Sequence, residues 1–327
     1  MLKIGVLGAG HLGKIHLKCI QQIPTYQLVG FYDPDEKKAR QVAQEFGIPC
    51  LASEAALMEA VDVVDIVTPT TTHFDLARLA IQKKKHLFIE KPLTNRIEEA
   101  RQLLQLGQAA DLKIQVGHVE RFNPAMQALK GKLIDPMFIE AHRLAAFNPR
   151  GTDVSVILDL MIHDLDIVLH LVRSDIRHIS ASGVAVLSEQ ADICNARLEF
   201  DNGCVANLTA SRISLKQMRK LRMFQRDAYI SLDFLNKQAQ LIRLFDEPQG
   251  EDNQVELHTS SGVKYLDIQM PQLQPVNAIQ MELVQLAQSI QEDRPTAVGL
   301  ADGYRALELA HQILDEVNRR LQETSLT

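Results

Sequence analysis

The tripeptide Glu90-Lys91-Pro92 could stabilise negative charge that develops on a substrate oxygen. It directly follows a short run, His86–Ile89, that is typical of a strand in a parallel sheet. A lysine between a strand end and a proline would be held in place and partly desolvated, so it could donate a hydrogen bond to a reacting hydroxyl. We therefore interpret Lys91 as a candidate catalytic residue, although most exposed lysines are simply solvated.

Asp159 and His163 could take part in proton transfer. They are four residues apart in Val156–Val172, a stretch that predicts a helix, and they therefore share one face. Histidine is the natural general base for a hydroxyl proton near neutral pH, and a nearby carboxylate can orient it or the substrate. The spacing also fits a structural pair, with Asp159 favouring the helix dipole and His163 in the core. A third interpretation is a metal site with one further ligand.

A glycine-rich turn near the start of the chain predicts a dinucleotide-binding site. It fits the pattern G-x-G-x-x-G, follows a strand-like segment and opens a predicted helix. Such a turn needs a tight bend, close approach to a pyrophosphate, and contact between helix and strand; the helix N-terminus then faces the phosphates. The alternative is a glycine-rich turn without a ligand. The residues concerned are Gly8, Ala9, Gly10, His11, Leu12 and Gly13.

Asp33 ends the second predicted strand. A carboxylate there can accept hydrogen bonds from the ribose of a dinucleotide and would repel a 2′-phosphate, which favours NAD over NADP. Alternatively, Asp33 only caps the next helix. Ligands of open α/β sheets bind at the carboxyl ends of the strands, and the turn after the fourth strand can line a cofactor or cap a helix. The further candidate cofactor contacts are Thr68, Pro69, His73, Glu90 and Lys91.

These residues lie between segments that alternate regularly between strand and helix. The alternation predicts an α/β fold with a parallel, Rossmann-type sheet covered by helices on both faces. The predicted strands are Lys3–Leu7, Gln27–Tyr32, Pro49–Leu51, Val63–Val67, His86–Ile89 and Lys113–Val116, and the predicted helices are His11–Gln22, Asp35–Phe46, Asn95–Ala110 and two that start at Glu54 and His73.

The pattern changes after Asn123-Pro124, which is typical of a helix start. From Ile176 to about Ile268 short strands dominate, and Asp201-Asn202-Gly203 predicts a hairpin, so we expect an α+β domain with an open, mainly antiparallel sheet. The expected domains are 1–121 for the nucleotide and 122–298 for substrate binding and oligomerisation, with helix 299–322 packing back on the first. The other predicted elements are a helix from Pro124 to Lys132, the strand Met137–Ala146 and the helices Val156–Val172, Val276–Glu292 and Gly299–Gln322.

Composition excludes several classes of protein. The net charge of -6 argues against a nucleic-acid binder. No apolar run reaches the length of a membrane span, and the N-terminus lacks a cleavable signal, so we expect a cytoplasmic protein. A local basic stretch, Arg212–Arg226, is either a solvated strand or a phosphate-binding lip. The cysteines lack zinc-ribbon spacing and suggest buried thiols; they are Cys19, Cys50, Cys194 and Cys204.

The order of these motifs resembles the glucose–fructose oxidoreductase/inositol dehydrogenase (Gfo/Idh/MocA) family over essentially the whole chain. The resemblance implies hydride exchange between a sugar or polyol carbon and NAD, without a metal, in a homodimer or homotetramer. Lys91 matches the lysine of the family's EKP motif, and Asp159 and His163 match its D-x-x-x-H motif. The motifs that carry the resemblance are GAGHLG, Asp33, TPTTTH, EKP, GHVERFNPA (117–125), DLMIHDLD (159–166) and ADGYRALELAHQIL (301–314).

The resemblance also implies a substrate site and suggests a branch. His118, Arg121 and Asn123 would lie near the nicotinamide or substrate. The glycines that many members have around the DxxxH motif are replaced here, and residues 147–166 with Ala210-Ser211-Arg212 look more like the branch of UDP-N-acetylglucosamine 3-dehydrogenases. Arg212 would then face a nucleotide-sugar diphosphate. The alternatives are a polyol, inositol or free-sugar dehydrogenase and a non-catalytic NAD-binding sensor or assembly subunit.

Overall fold

The computed structural model describes residues 1–148, 154–250, 254–260 and 262–325. The chain forms two compact units. The first unit comprises Met1–Phe122 and Val276–Glu308, and the second comprises Asn123–Pro275 and Leu309–Thr327. Among the described helices, none combines the length and apolarity needed to cross a membrane.

The first unit is built on a five-stranded sheet whose neighbouring strands are all parallel, in the order β2-β1-β3-β4-β5. This confirms the α/β class that the alternating pattern predicts. The strands are β1 (Leu2–Leu7), β2 (Tyr26–Tyr32), β3 (Val63–Ile66), β4 (His86–Glu90) and β5 (Ile114–Gly117), and the helices are α1 (His11–Gln21), α2 (Glu36–Phe46), α3 (Glu54–Ala60), α4 (His73–Gln82) and α5 (Ile97–Ala109).

The predicted strand Pro49–Leu51 is reduced to a single parallel bridge between Cys50 and Phe31. The segment is short, and Pro49 lacks the N–H group that a ladder needs. Cys50 is also exposed, which corrects the expectation that all four thiols are buried; the other three are.

The second unit contains a nine-stranded sheet in the order β13-β14-β12-β11-β10-β6-β9-β8-β7, in which only β6 and β9 pair in parallel. Buried and partly exposed residues alternate along β6, as expected for a sheet with one covered face. The predicted Asp201-Asn202-Gly203 turn joins β8 to β9. The elements are α6 (Pro124–Gln127), β6 (Phe138–Leu144), α7 (Ile162–Val172), β7 (Ile176–Val184), β8 (Ile193–Phe200), β9 (Val205–Ser211), β10 (Met218–Gln225), β11 (Ala228–Asp233), β12 (Gln238–Phe245), β13 (Val255–Thr259) and β14 (Gly262–Gln269).

One predicted helix in this unit is too long, and a second differs in the type of its first turn. Helix α6 ends at Gln127 instead of near Lys132, and turns follow up to Gly131, whose φ is +77°. The predicted helix Val156–Val172 begins as a π-helical turn, Ile157–Met161, and continues as the α-helix α7. The π turn has a wider hydrogen-bond spacing than an α-helix. The regular helical face expected from the four-residue spacing therefore does not extend through its residues.

Two C-terminal helices, α8 (Ala278–Gln291) and α9 (Leu300–Ser325), complete the fold. The expected second domain ran to residue 298, but α8 belongs to the first unit. Leu283 and Leu286 lie in the same core cluster as Ile4 of β1, and the Tyr26 hydroxyl donates to the Leu283 carbonyl at 3.0 Å. Helix α9 is shared: its first part, to Glu308, belongs to the first unit and the rest to the second. Periodicity shows that a helical face is apolar, but not which sheet it packs against.

Candidate functional site

The turn between β1 and α1 has two glycines that the fold itself requires. Gly8 has φ +97°, and a Cβ atom on it would lie 2.5 Å from the Val67 carbonyl oxygen. A Cβ atom on Gly13 would lie 2.1 Å from the carbonyl oxygen of Gly8. Gly10 differs, because a Cβ atom there would meet no described atom within 4 Å. The open space at Gly10 is where a pyrophosphate would approach the backbone.

The N-terminus of α1 can accept an anion. Gly10 is its N-cap, and among the described residues no side chain caps the helix. Its first turn has no acidic residue, His11 is exposed and Leu12 is half-buried. The first N–H groups of a helix need partners, and its positive dipole end favours negative charge. A pyrophosphate would meet both requirements.

Asp33 is tied to this turn. Its Oδ2 atom accepts a hydrogen bond from the Ala9 N–H at 2.8 Å, and its Oδ1 lies 3.0 Å from Nζ of Lys38. Burial alone would raise the pKa of Asp33, but backbone hydrogen bonds and Lys38 outweigh it and lower that pKa, so the carboxyl is ionised at neutral pH. The structure assigns the cap of α2 to Asp35, which accepts from the Lys38 N–H at 3.0 Å. Asp33 is therefore not the helix cap.

His73 connects the turns that follow β3 and β4. It is buried; its Nδ1 lies 3.0 Å from the Pro92 carbonyl and its Nε2 lies 3.0 Å from the Thr68 carbonyl. Burial lowers the pKa of His73, and the hydrogen bonds to the two carbonyl groups oppose that shift. Thr68 also accepts from the Thr72 hydroxyl at 2.7 Å, and Pro69 is exposed. Two of the predicted cofactor-contacting segments are thus brought together, although contact with a cofactor stays a prediction.

Lys91 lies half-buried directly after β4. Its backbone N–H donates to Oε2 of Glu90 at 3.1 Å, and Oε1 of Glu90 lies 3.1 Å from Nε2 of His16. Both oxygens of Glu90 therefore have partners within the protein. Its predicted contact with a cofactor stays a prediction.

A buried ionic cluster behind Lys91 was not predicted from the sequence. The carboxylate of Glu90 lies close to His16 of α1 and Glu282 of α8, and the other ring nitrogen of His16 contacts Asp65 of β3. His16, Asp65 and Glu282 are fully inaccessible to solvent. One available signal was a charged residue at a core position: His16 falls on the buried face of α1, and Asp65 interrupts the apolar run of β3. Their convergence depends on three elements that are distant in sequence.

The predicted substrate contacts from the GHVERFNPA segment are all buried. His118 follows β5, and Arg121 pairs with Asp302 at 3.2 Å in the first unit. Asn123 belongs to the second unit, where it caps α6 and its amide donates to the Phe234 carbonyl at 3.0 Å. These placements give each residue a structural contact or a buried position. Their roles toward a substrate stay predictions.

The predicted catalytic pair of the second unit lies at the junction of the π turn and α7. Asp159 is exposed within the π turn, whereas His163 is half-buried in the first turn of α7. The next residue, Asp164, is buried and forms a two-point ion pair with Arg143 of β6, with distances of 2.9 and 2.8 Å. Two parallel hydrogen bonds of this kind fix orientation as well as distance. They anchor the helical turn that carries His163 to the sheet.

The basic stretch does not form a single cluster. Arg212 is buried, donates to the Val154 carbonyl and lies 3.9 Å from Asp192. Arg222 is exposed and pairs with Glu140 on the neighbouring strand. Each of these cations thus has a local partner. Contact between Arg212 and a substrate phosphate stays a prediction.

Two family models match the chain. A model described as an oxidoreductase family with an NAD-binding Rossmann fold matches residues 2–118. A model for the GFO/IDH/MocA C-terminal domain matches residues 97–230. Together they cover most of both sheets.

Individual relatives agree with these models. The chain is 37% identical to UDP-N-acetylglucosamine 3-dehydrogenase of Acidithiobacillus ferrooxidans over 98% of its own length and 99% of the relative's. A solved structure of that enzyme has a TM-score of 0.86 at 36% identity, with 97% of each chain covered. The scyllo-inositol 2-dehydrogenase of Bacillus subtilis is 31% identical over 65% of this chain and 68% of that one. A Lactobacillus casei scyllo-inositol dehydrogenase with bound NAD(H) shares the fold, with a TM-score of 0.76 at 21% identity and 98% of each chain covered.

Proposed function

We propose that this chain, which belongs to the GFO/IDH/MocA family of NAD-binding oxidoreductases, oxidises a secondary hydroxyl group of a nucleotide sugar such as a UDP-N-acetylhexosamine. The substrate class is supported by the similarity to a UDP-N-acetylglucosamine 3-dehydrogenase, which extends over nearly the full length of both chains. The inositol dehydrogenases are more distant relatives.

The observation that carries the cofactor part of the proposal is the uncapped N-terminus of α1 beside the ionised Asp33. These residues fit a dinucleotide. The glycine turn and the first N–H groups of α1 would hold the pyrophosphate, and Asp33 would accept hydrogen bonds from the adenosine ribose. When bound, the nicotinamide accepts a hydride from the substrate carbon.

In the proposed reaction His163 takes the proton of the substrate hydroxyl, while the hydride leaves the same carbon. Lys91 donates a hydrogen bond to the oxygen as its negative charge develops. Asp159 orients the substrate or His163. These roles rest on the match to the family's EKP and D-x-x-x-H motifs, on the strand-end position of Lys91 and on the anchored helical turn that carries His163.

Gly10→Ala is expected to weaken NAD binding at least about tenfold, because the added methyl group would crowd the pyrophosphate. A tenfold loss of affinity corresponds to about 1.4 kcal/mol of binding free energy. The fold has room for the methyl group, so the melting temperature should stay that of the wild type. Isothermal titration calorimetry and thermal unfolding measure the two quantities.

Gly13→Ala is the matched comparison. Its methyl group would collide with the Gly8 carbonyl, and overpacking of this kind costs about 1–3 kcal/mol of unfolding free energy. We therefore expect a lower melting temperature for Gly13→Ala and an unchanged one for Gly10→Ala. Normal NAD affinity in a folded Gly10→Ala protein would contradict the placement of the pyrophosphate.

Asp33→Asn is expected to shift the ratio of kcat/KM for NAD to that for NADP toward NADP by at least about tenfold, or 1.4 kcal/mol. Asparagine can still accept from the Ala9 N–H but no longer repels a 2′-phosphate. Asp35→Asn is the control, because it also removes a nearby charge while asparagine remains a good N-cap. An unchanged ratio in Asp33→Asn would argue against Asp33 as the residue that selects NAD.

The substrate proposal is tested with a panel of UDP-sugars, free sugars and inositols. Formation of NADH is followed by its absorbance. We expect signal with a UDP-N-acetylhexosamine and inhibition by UDP alone. Signal with free sugars or inositol, without inhibition by UDP, would instead identify a polyol or free-sugar dehydrogenase. Protein that binds NAD but responds to no substrate would support the non-catalytic sensor or assembly subunit.

The assembly into a homodimer or homotetramer and the cytoplasmic location stay predictions. Sedimentation equilibrium of the purified protein tests the first. Fractionation of the cells that produce it tests the second.

A further inference from the structure

The buried ionic cluster forms a continuous chain that ends at the backbone of Lys91. Nδ1 of His16 lies 2.9 Å from Oδ2 of Asp65, and Nε2 of His16 lies 3.1 Å from Oε1 of Glu90. The other oxygen of Glu90 accepts the Lys91 N–H at 3.1 Å. Burial raises the pKa of Asp65, and the charge and hydrogen bond of His16 oppose that rise. With Asp65 and Glu90 as ionised acceptors, both ring nitrogens of His16 donate, and the ring carries a positive charge.

The surroundings of His16 support this charge. Burial lowers the pKa of His16, but the charges and hydrogen bonds of Asp65 and Glu90 outweigh burial and raise that pKa well above its ordinary value. The imidazolium therefore neutralises one of the two carboxylates and orients both. The rings of His16 and Phe88 also pack edge to face at a centroid distance of 5.4 Å.

Glu282 is the fourth member and lies outside this chain of hydrogen bonds. It is fully buried, and both its carboxyl oxygens lack a hydrogen-bond partner among the described residues. One of its oxygens lies within 4.8 Å of the nearest ligand atoms of His16 and Glu90. A third negative charge here would face two carboxylates with only one cation between them. Burial, together with the charge of Glu90, raises the pKa of Glu282 well above its ordinary value, so Glu282 holds a proton.

We propose that Asp65, His16 and Glu90 are positioning residues that hold the Lys91 backbone in its catalytic place, and that Glu282 lies beside them as a neutral carboxylic acid. The first part rests on the proposed function of Lys91. In this series of hydrogen bonds each charged group lies at hydrogen-bond distance from the next. Helix α1 carries the cation His16, β3 carries the anion Asp65, and β4 carries the anion Glu90, which contacts Lys91. A lysine displaced by about 1 Å can lose about a hundredfold in rate.

The positioning role is tested by a double-mutant cycle on kcat. His16→Gln and Glu90→Gln are each expected to lower kcat by about a hundredfold, with the KM of the sugar within about twofold of the wild type; in His16→Gln, which is not a predicted cofactor contact, the Kd of NAD should also stay within about twofold. The double variant should be no slower than Glu90→Gln, because His16 acts through Glu90. Multiplicative losses, or kcat values equal to the wild type, would overturn the proposal. If Glu90→Gln does not fold, Asp65→Asn tests the other end of this series of hydrogen bonds. That variant should lower kcat and leave the Kd of NAD unchanged.

The proton on Glu282 is tested without any substrate. Infrared spectra of the wild type should contain the band of a protonated carboxyl group that disappears in Glu282→Gln. That variant mimics the neutral acid and should melt at the wild-type temperature. Absence of the band would overturn the neutral acid, as would a stoichiometric divalent metal found by elemental analysis, since His16, Glu90 and Glu282 could instead be its ligands. An enzyme inactive on every sugar would refute the proposed function but leave these measurements valid.

Discussion

A Lys91→Met variant is expected to turn over substrate about 10²–10³ times more slowly than the wild type, the usual loss for one donor to a developing oxyanion. Methionine keeps the unbranched shape of the side chain but removes its charge and its N–H donors. In the wild type, the hydrogen bond from Lys91 would strengthen as the hydroxyl proton leaves. Its removal in the variant should therefore lower kcat rather than raise KM. Steady-state NADH formation with the best nucleotide sugar measures it.

NAD should still bind the Lys91→Met variant, because the glycine turn and Asp33 are unchanged. Lys18→Met is a matched control: Lys18 is an exposed residue of α1, and its replacement should leave turnover at the wild-type value. Turnover near the wild-type value in Lys91→Met would refute the catalytic role. Equal losses in both variants would indicate a general effect of removing a positive charge.

His163→Gln is expected to lower kcat by about 10²–10⁴, the contribution typical of a positioned general base. Glutamine retains hydrogen-bonding groups and similar bulk but cannot take a proton at these pH values. The acid limb of the pH profile of kcat/KM, which reports the ionisation of an essential base, should therefore disappear in the variant. Stopped-flow measurement of the first turnover separates this effect from slow product release.

His170→Gln is the control for this variant, because His170 is also half-buried and lies two turns further along α7. It should keep both the rate and the pH profile of the wild type. The Arg143–Asp164 ion pair is present in both variants and should hold the helix in place, which unfolding curves can verify. A His163→Gln enzyme that keeps the acid limb would show that another group is the base.

The elements around the cofactor site could be predicted because their signals are local. An apolar run such as Val63–Val67 indicates a strand buried on both faces, and a glycine pattern between strand and helix indicates the turn. The structure confirms the parallel sheet and the placement of Gly8 and Gly13 at positions where a side chain would collide with the backbone. Each of these conclusions depends on residues close together in the chain.

Other features depended on partners that are distant in sequence. The sequence placed α8 with the second domain, because nothing in its apolar periodicity identifies the sheet that it covers. The π turn before α7 was also missed, since a helical pattern does not reveal a local change in hydrogen-bond spacing. Asp33 was a candidate for the cap of α2, but the structure gives that role to Asp35, whose side chain accepts from the Lys38 N–H.

The sequence by itself determined the parallel sheet, the cofactor class and the candidate chemistry of Lys91, Asp159 and His163. The first two conclusions follow from residue type and short-range spacing, which the chain carries before it folds. For Asp159 and His163 the spacing left catalytic, structural and metal interpretations open, and the family resemblance favoured the catalytic one. Only the tertiary structure decided that His16, Asp65 and Glu282 converge behind Lys91. A charged residue in an apolar segment shows that a partner is needed, but packing of α1, β3, β4 and α8 selects the partner, because burial makes an unpaired charge too costly.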